Sequence, residues 1–260
     1  MRMPMDCDKQ MFTILGSGSA VPQAQQASAA NLLRKGNHAA LIDAGRGCLV
    51  RLLEMGVDLA AIRHVFLTHF HPDHCSELVS LVFGRYSDHE HLWAEPLHVI
   101  AGPGLEAWWR ALCTAWPSLL KPTAAGLVVL HEIKAGATIT ADIWRVRAAA
   151  VAHKPESLAY CFEYDGKSIV VSGDTGPEND MAAFALNTEL LVLECGAGLK
   201  PLTGHLSLEQ AAALATAVQP QNLILTHIDH ANDVNILQAA FRALYNGPFQ
   251  MARDLLTVEV

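Results

Sequence analysis

The chain has 260 residues, 51% of them hydrophobic, and a formal net charge of −8 at pH 7. That length can bury a sizeable core, and no window approaches the roughly 18 uncharged apolar residues of a membrane-spanning helix. The acidic balance, with no basic run longer than Arg34-Lys35, makes a long polyanion such as nucleic acid a less favoured partner. The first ten residues carry Arg2, Asp6, Asp8 and Lys9 and no apolar stretch, so a cytoplasmic protein is expected. Six cysteines (Cys7, Cys48, Cys75, Cys113, Cys161, Cys195) are scattered without a CxxC pair, which predicts free thiols and no zinc ribbon.

In chain order, strands are expected at 11–16, 31–35 and 38–43, with a turn at 35–38 between the last two. Helical spacing follows over 45–55 and closes at Gly56. A short apolar strand at 64–67 runs straight into Thr68-His69-Phe70-His71-Pro72-Asp73-His74. Helices are expected over 75–85 and 104–115, the second ending before Pro117, with Trp108, Trp109 and Trp116 read as core. The second half predicts strands at 127–132, 143–151, 158–164, 168–172 and 190–193, with Asp165-Gly166 turning a hairpin. Ser207 is the expected N-cap of an Ala-rich helix over 208–218. A buried strand at 222–225 ends in Thr226-His227, and an amphipathic helix covers 233–244. Two groups of strands with helices between and after them predict an α/β (α+β) fold of sheets packed face to face and covered by helices, in one domain spanning 1–260.

Three imidazoles and a carboxylate within six residues, directly after a strand, are the densest chemistry in the chain. In an extended backbone residues i and i+2 project the same way, so His69 and His71 can converge on one ion while Asp73 and His74 face another. Zinc and similar ions take nitrogen and oxygen ligands and leave a position for water. Further ligand types stand at other predicted strand ends: His153, Asp174 and His227. The motif reads as a metallohydrolase.

The set Gly16-Ser17-Gly18-Ser19, Ile42-Asp43-Ala44-Gly45, Thr68 to His74, His153, Gly173-Asp174-Thr175 and Leu225-Thr226-His227 resembles the metallo-β-lactamase superfamily along nearly the whole chain. The resemblance implies a four-layer αββα sandwich and two divalent ions, zinc expected, with manganese or iron as alternatives. It implies one ion on His69, His71 and His153, the other on Asp73, His74 and His227, and Asp174 bridging. An aspartate rather than a cysteine at the bridging position, together with Gly204-His205-Leu206-Ser207, is similar to the phosphodiesterase branch. That branch includes ribonuclease Z, PhnP-type enzymes and class II cyclic-nucleotide phosphodiesterases.

The expected activity is therefore hydrolysis of a small, anionic and in some cases cyclic phosphodiester, with Asp73 at the metals and His205 as general acid supported by Glu194. Ser17 and Ser19, in a strand-end turn near the site, are candidate substrate contacts. The alternative is a ribonuclease Z-like tRNA 3′ endonuclease, set against by the short gap between His153 and Asp174, where the bacterial family inserts a tRNA-gripping arm. A thioester or lactam hydrolase of the same superfamily ranks lower, and a non-catalytic binding protein lowest, because no ligand is missing. His230 would join a structural zinc site in PhnP-type enzymes, but Gln23, Gln25 and Gln26 stand where its cysteine partners would be. The segment 83–95, with His89, His91 and Trp93, is read as either a loop over the site or a homodimer contact.

Overall fold

Successive strand residues project to opposite faces, so a strand covered on both sides carries two separate apolar sets. Residues 64–66 do this: Val65 packs into a core shared with helices, Phe66 into a core between two sheets. The computed structural model describes residues 9–87, 95–229 and 232–260. Cys7, His230 and most of the segment 83–95, including His89, His91 and Trp93, lie outside them.

The strands are β1 (Gln10–Gly16), β2 (Ala30–Lys35), β3 (His38–Ile42), β4 (His64–Phe66), β5 (Leu97–Ala101), β6 (Val128–Glu132) and β7 (Thr138–Ala141). Then come β8 (Trp144–Ala150), β9 (Leu158–Tyr164), β10 (Lys167–Val171), β11 (Leu190–Glu194), β12 (Asn222–Thr226), β13 (Phe249–Met251) and β14 (Leu256–Glu259). The helices are α1 (Cys48–Glu54), α2 (Pro72–Cys75), α3 (Leu78–Ser87), α4 (Leu105–Ala115), α5 (Leu120–Ala124), α6 (Met181–Phe184), α7 (Leu208–Val218) and α8 (Val234–Leu244).

Two seven-stranded sheets run β14-β1-β2-β3-β4-β5-β6 and β13-β12-β11-β10-β9-β8-β7. In each, one half is antiparallel and the other, β3 to β6 or β10 to β13, is parallel. Between them lies a core of Phe12, Ile14, Phe66, Trp144, Tyr160, Phe162 and their neighbours. Phe66 meets Tyr160 and Phe162 edge-on at 5.2 and 5.0 Å between centroids, and the Tyr160 hydroxyl donates to the Leu67 carbonyl at 2.9 Å. Outside the first sheet pack α1, α3 and α4; outside the second pack α6, α7 and α8. The layers are helix, sheet, sheet, helix, as expected. No described helix is long and apolar enough to cross a membrane.

The hairpin at Asp165-Gly166 forms with φ of 51° and 75°, the double left-handed turn that matches strand twist. The expected helix over 75–85 is instead two helices, α2 and α3, parted at Ser76 and Glu77. Glu77 has another task there: its carboxylate accepts from the amides of Gly47 and Leu49 and caps the start of α1. Trp116 is the C-cap of α4 and half exposed, not core, whereas Trp109 is buried and Trp108 stacks on Phe70 at 4.9 Å. Strands β5, β7, β13 and β14 were not expected. β13 and β14 are three and four residues long, too short for a periodic signal.

Candidate metal centre

In sheets with parallel strands, ligands collect beyond the carboxyl ends, and that is where the candidate residues converge. His69 and His71 follow β4, while Asp73 and His74 lie on α2, a single turn with Pro72 at its first position. His153 follows β8, Asp174 follows β10, Glu194 ends β11 and His227 follows β12. The first four come from one sheet and the rest from the other. Gly173 lets the sheets meet: it has φ 59°, and a Cβ there would lie 2.6 Å from the Thr68 Cβ.

Asp174 stands in the middle. Its Oδ1 lies 3.1 Å from His74 Nε2 and 3.4 Å from His227 Nε2. Its Oδ2 lies 3.7 Å from His69 Nε2 and 3.8 Å from His153 Nε2. His153 Nε2 is 3.1 Å from His71 Nδ1, and Asp73 Oδ2 is 3.7 Å from His74 Nε2 and 3.8 Å from His227 Nε2. Two sets of ligand atoms follow, each within 4.8 Å: His69, His71, His153 and Asp174; and Asp73, His74 and His227.

This donor set fits divalent metal. His69 Nε2, His74 Nε2 and Asp174 Oδ1 are buried atoms without a hydrogen-bond partner, where native proteins pair nearly all such atoms. The opposite nitrogens are anchored: His74 Nδ1 lies 2.8 Å from Asp43 Oδ2, His153 Nδ1 2.9 Å from the Gly204 carbonyl, and His69 Nδ1 3.1 Å from Thr68 Oγ1. Such outer contacts set which nitrogen is free to ligate. Burial, then neighbouring histidine charge, lowers His69 and His71, and burial lowers His153 against the pull of Asp174. Each is thereby kept in its neutral, ligating form. His74 goes the other way: burial opposes its charge, but the carboxylates of Asp174 and Asp43 raise it. Asp174 is lowered despite burial by His227 and His74.

Asp43 had no role assigned from the sequence beyond its place in the strand-end motif. It is buried, sits at φ 61°, and accepts from Thr68 N at 2.8 Å, from Thr68 Oγ1, and from His74. The signal available was an aspartate at the end of a buried strand, but its partner lies 31 positions away.

His205 lies at the rim of the cluster. Its Nδ1 is 3.2 Å from Glu194 Oε1 and 3.9 Å from Asp174 Oδ2, and its ring stacks on His227 at 5.7 Å. Burial works against its charge, yet the Glu194 carboxylate raises its pKa above the ordinary histidine value. Glu194 is itself buried and accepts from the amides of Thr175, Gly196 and Leu206 at 3.0, 2.6 and 3.2 Å. The loop holding His205 ends in a capping box, Ser207 with Gln210, that starts α7 where the sequence predicted. His205 also lies within ligand distance of Asp174 and His227.

Ser17 and Ser19 lie in the turn that follows β1. Ser17 is buried, and both its amide and its hydroxyl donate to Asp254 Oδ1, at 3.0 and 2.9 Å. Asp254 also accepts from Ala27 N and Arg51 Nε, so Ser17 fastens the turn to the C-terminal segment. Ser19 is buried, with its hydroxyl 3.5 Å from Asp229. The turn does border the centre, since Gly18 bridges to Ile228 beside His227.

A sequence profile described as the beta-lactamase superfamily domain matches residues 38–228. Ribonuclease Z of Mycobacterium bovis (strain BCG / Pasteur 1173P2) is 29% identical over 274 aligned positions, covering 96% of this chain and 98% of that protein. The fold is shared with the metallo-beta-lactamase fold protein YhfI from Bacillus subtilis, at TM-score 0.83 and 20% identity over 97% of this chain and 100% of the other. It is shared too with the short form of human tRNase Z, at TM-score 0.73 and 20% identity over 95% and 98%. With a family match over most of its length and the histidine–aspartate centre at its strand ends, the chain belongs to the beta-lactamase superfamily and is a metal-dependent hydrolase.

Proposed function

We propose that this chain, as one domain over 1–260, is a dinuclear phosphodiesterase acting on a small phosphodiester, cyclic forms included. The carrying observation is the division of Asp174: one oxygen faces His74 and His227, the other faces His69 and His153. In this reading His69, His71 and His153 would hold one divalent ion and Asp73, His74 and His227 the other, with Asp174 available to both and zinc the expected metal. Such ions would supply Lewis acidity and a water of lowered pKa. Asp73 and Asp174 are the only carboxylates among those ligands, so the loaded site keeps net positive charge for a phosphodiester monoanion.

The leaving oxygen needs a proton. His205 is held at the rim by Glu194, whose charge favours the protonated ring. Glu194 orients and charges the acid; His205 delivers the proton to the departing alkoxide.

A second reading, a ribonuclease Z-like endonuclease, is favoured by one observation. The alignment with the mycobacterial ribonuclease Z is only slightly longer than this chain and covers nearly all of that protein. The likeness therefore spans nearly the whole of both chains, although 274 positions against the about 250 residues of this chain that are aligned (96% of 260) leave about 24 positions of that relative without a counterpart here. The net charge of −8 still favours a small substrate over tRNA.

The test is a panel on the metal-loaded protein: bis(p-nitrophenyl) phosphate, cyclic nucleotides, cyclic ribose phosphates and a precursor tRNA. Diesterase activity without tRNA cleavage supports the small substrate, and accurate 3′ cleavage of the tRNA supports the second reading. Bound metal with no diesterase activity at all defeats both and restores a thioester or lactam substrate. His205→Ala should keep its metal and lose at least about tenfold in turnover on a poor leaving group; unchanged turnover removes His205 from the mechanism.

A further inference from the structure

From the amino ends of β3, β4 and β5 across to the edge strand β6, four histidines stand on one face of the first sheet. His38 and His64 open β3 and β4, His98 is second in β5 and His131 fourth in β6. Two residues beyond the first three lie Ala40, Phe66 and Ile100, all in the core between the sheets. His131 lies beside Leu130, which packs on the helix side, so it too projects toward the facing sheet. With a rise of about 3.3 Å per residue, His64 is roughly 16 Å along the chain from His69, and His131 stands on the edge strand β6, two strands or about 9–10 Å to the side of β4, so this group is separate from the metal centre.

Its geometry is close-set. His64 and His98 are register partners with rings stacked at 5.1 Å. His131 Nε2 lies 2.8 Å from His98 Nδ1. On the other flank Asp142 takes Arg63 at 2.9 Å and lies 3.4 Å from His38 and 3.7 Å from His64. The hydrolytic site makes no use of these residues. His64 Nδ1 is buried and has no hydrogen-bond partner. Burial, with the charges of His98 and Arg63 adding and Asp142 opposing, pushes His64 down to about 4, and burial then His131 lowers His98. Both rings are therefore neutral near pH 7, the form that binds metal, and Asp142 offsets the charge of Arg63.

We propose that His98 and His131 form a second metal site, for a divalent ion of the zinc, nickel and copper class, with His64 at its rim. The two nitrogens share a hydrogen bond, and a ring rotation that replaces its proton with an ion would place each at about 2.0–2.1 Å from the metal. Neutral imidazoles select this class over magnesium or calcium, which prefer oxygen. Both residues are half-buried, which leaves the remaining coordination positions to water.

The experiment is equilibrium dialysis against micromolar free zinc, with metal counted by mass spectrometry. The wild type should bind one equivalent more than His98→Gln/His131→Gln, and the same single-equivalent difference should appear in an Asp174→Ala background with its hydrolytic centre impaired. Equal counts in both backgrounds overturn the proposal. Should the double variant not fold, the Asp174→Ala protein, with His98 and His131 intact, is modified with diethyl pyrocarbonate with and without zinc and mapped by peptide mass. Zinc should then protect His98 and His131 in the Asp174→Ala protein, and equal modification with and without zinc overturns it.

Discussion

Replacing Asp43 by asparagine isolates a single proton. The position sits at φ 61°, where Asn is as well tolerated as Asp, so Asp43→Asn leaves the backbone undisturbed and changes only one acceptor to a donor. In the native protein Oδ2 meets His74 Nδ1 at 2.8 Å, while Oδ1 accepts from Thr68 N at 2.8 Å and Thr68 Oγ1 at 3.1 Å. If the new amide keeps its oxygen on Thr68, its NH₂ points at His74 Nδ1. The ring must then carry its proton on Nε2, the nitrogen 3.1 Å from Asp174, and cannot ligate. Loss of an outer partner of this kind lowers metal affinity about 10- to 100-fold, roughly 1.4–2.7 kcal/mol. If the amide turns over, the Thr68 amide is left buried without an acceptor, at about 1–3 kcal/mol of fold stability. The assay is a zinc titration against a competing chelator, paired with a thermal melt of the metal-free variant. Affinity should fall by at least about tenfold, or the melt should drop by the equivalent of about 1 kcal/mol or more. A variant unchanged in both refutes the view that Asp43 sets the His74 tautomer.

Glu194→Gln should leave its oxygen serving Thr175, His205 and Leu206 and turn its NH₂ against the Gly196 amide. The expected outcome is a stability loss of about 1–3 kcal/mol and slower turnover of alkyl esters, with nitrophenyl esters little affected, measured by leaving-group series. Gly45→Ala would put a Cβ 2.1 Å from the Asp73 carbonyl oxygen and 2.7 Å from that of Ala29. The backbone must move, so bound metal and melting temperature should fall together, checked by metal analysis and calorimetry. Burial raises the thiols of Cys75, Cys161 and Cys195, to about 12, 11 and 12, and Cys48 likewise. These four should resist a disulfide reagent at pH 8 until denaturant is added, read by peptide mapping.

What was legible in the sequence was what is local. His69 to His74 sit within six residues after a strand, and Ser207 caps its helix through contacts three residues long, so both could be read directly. The Glu194–His205 pair also followed, because a helix start and a strand end constrained where each side chain lies. Ser17 could not be read, since the partner that engages it, Asp254, is 237 positions away. The break between α2 and α3 was hidden for the same reason: Glu77 leaves the helical pattern to cap α1, about thirty residues earlier. His98 interrupts the apolar run of β5, and the reason for a polar side chain there becomes visible only beside His64 and His131.

The strand order bears on how the molecule is put together. One sheet takes β1 to β6 and the other β7 to β13, each from an unbroken stretch of chain, and only β14 returns to cover the edge at β1, pairing Glu259 with Met11. Each half can gather most of its strands from near neighbours, whereas that last join spans almost the whole sequence, the slow kind of closure. His69 to His74 belong to one half, and His153, Asp174 and His227 to the other. Competence at the centre therefore arrives only when the two half-molecules dock, and a chain halted before docking would possess its strands without possessing a site.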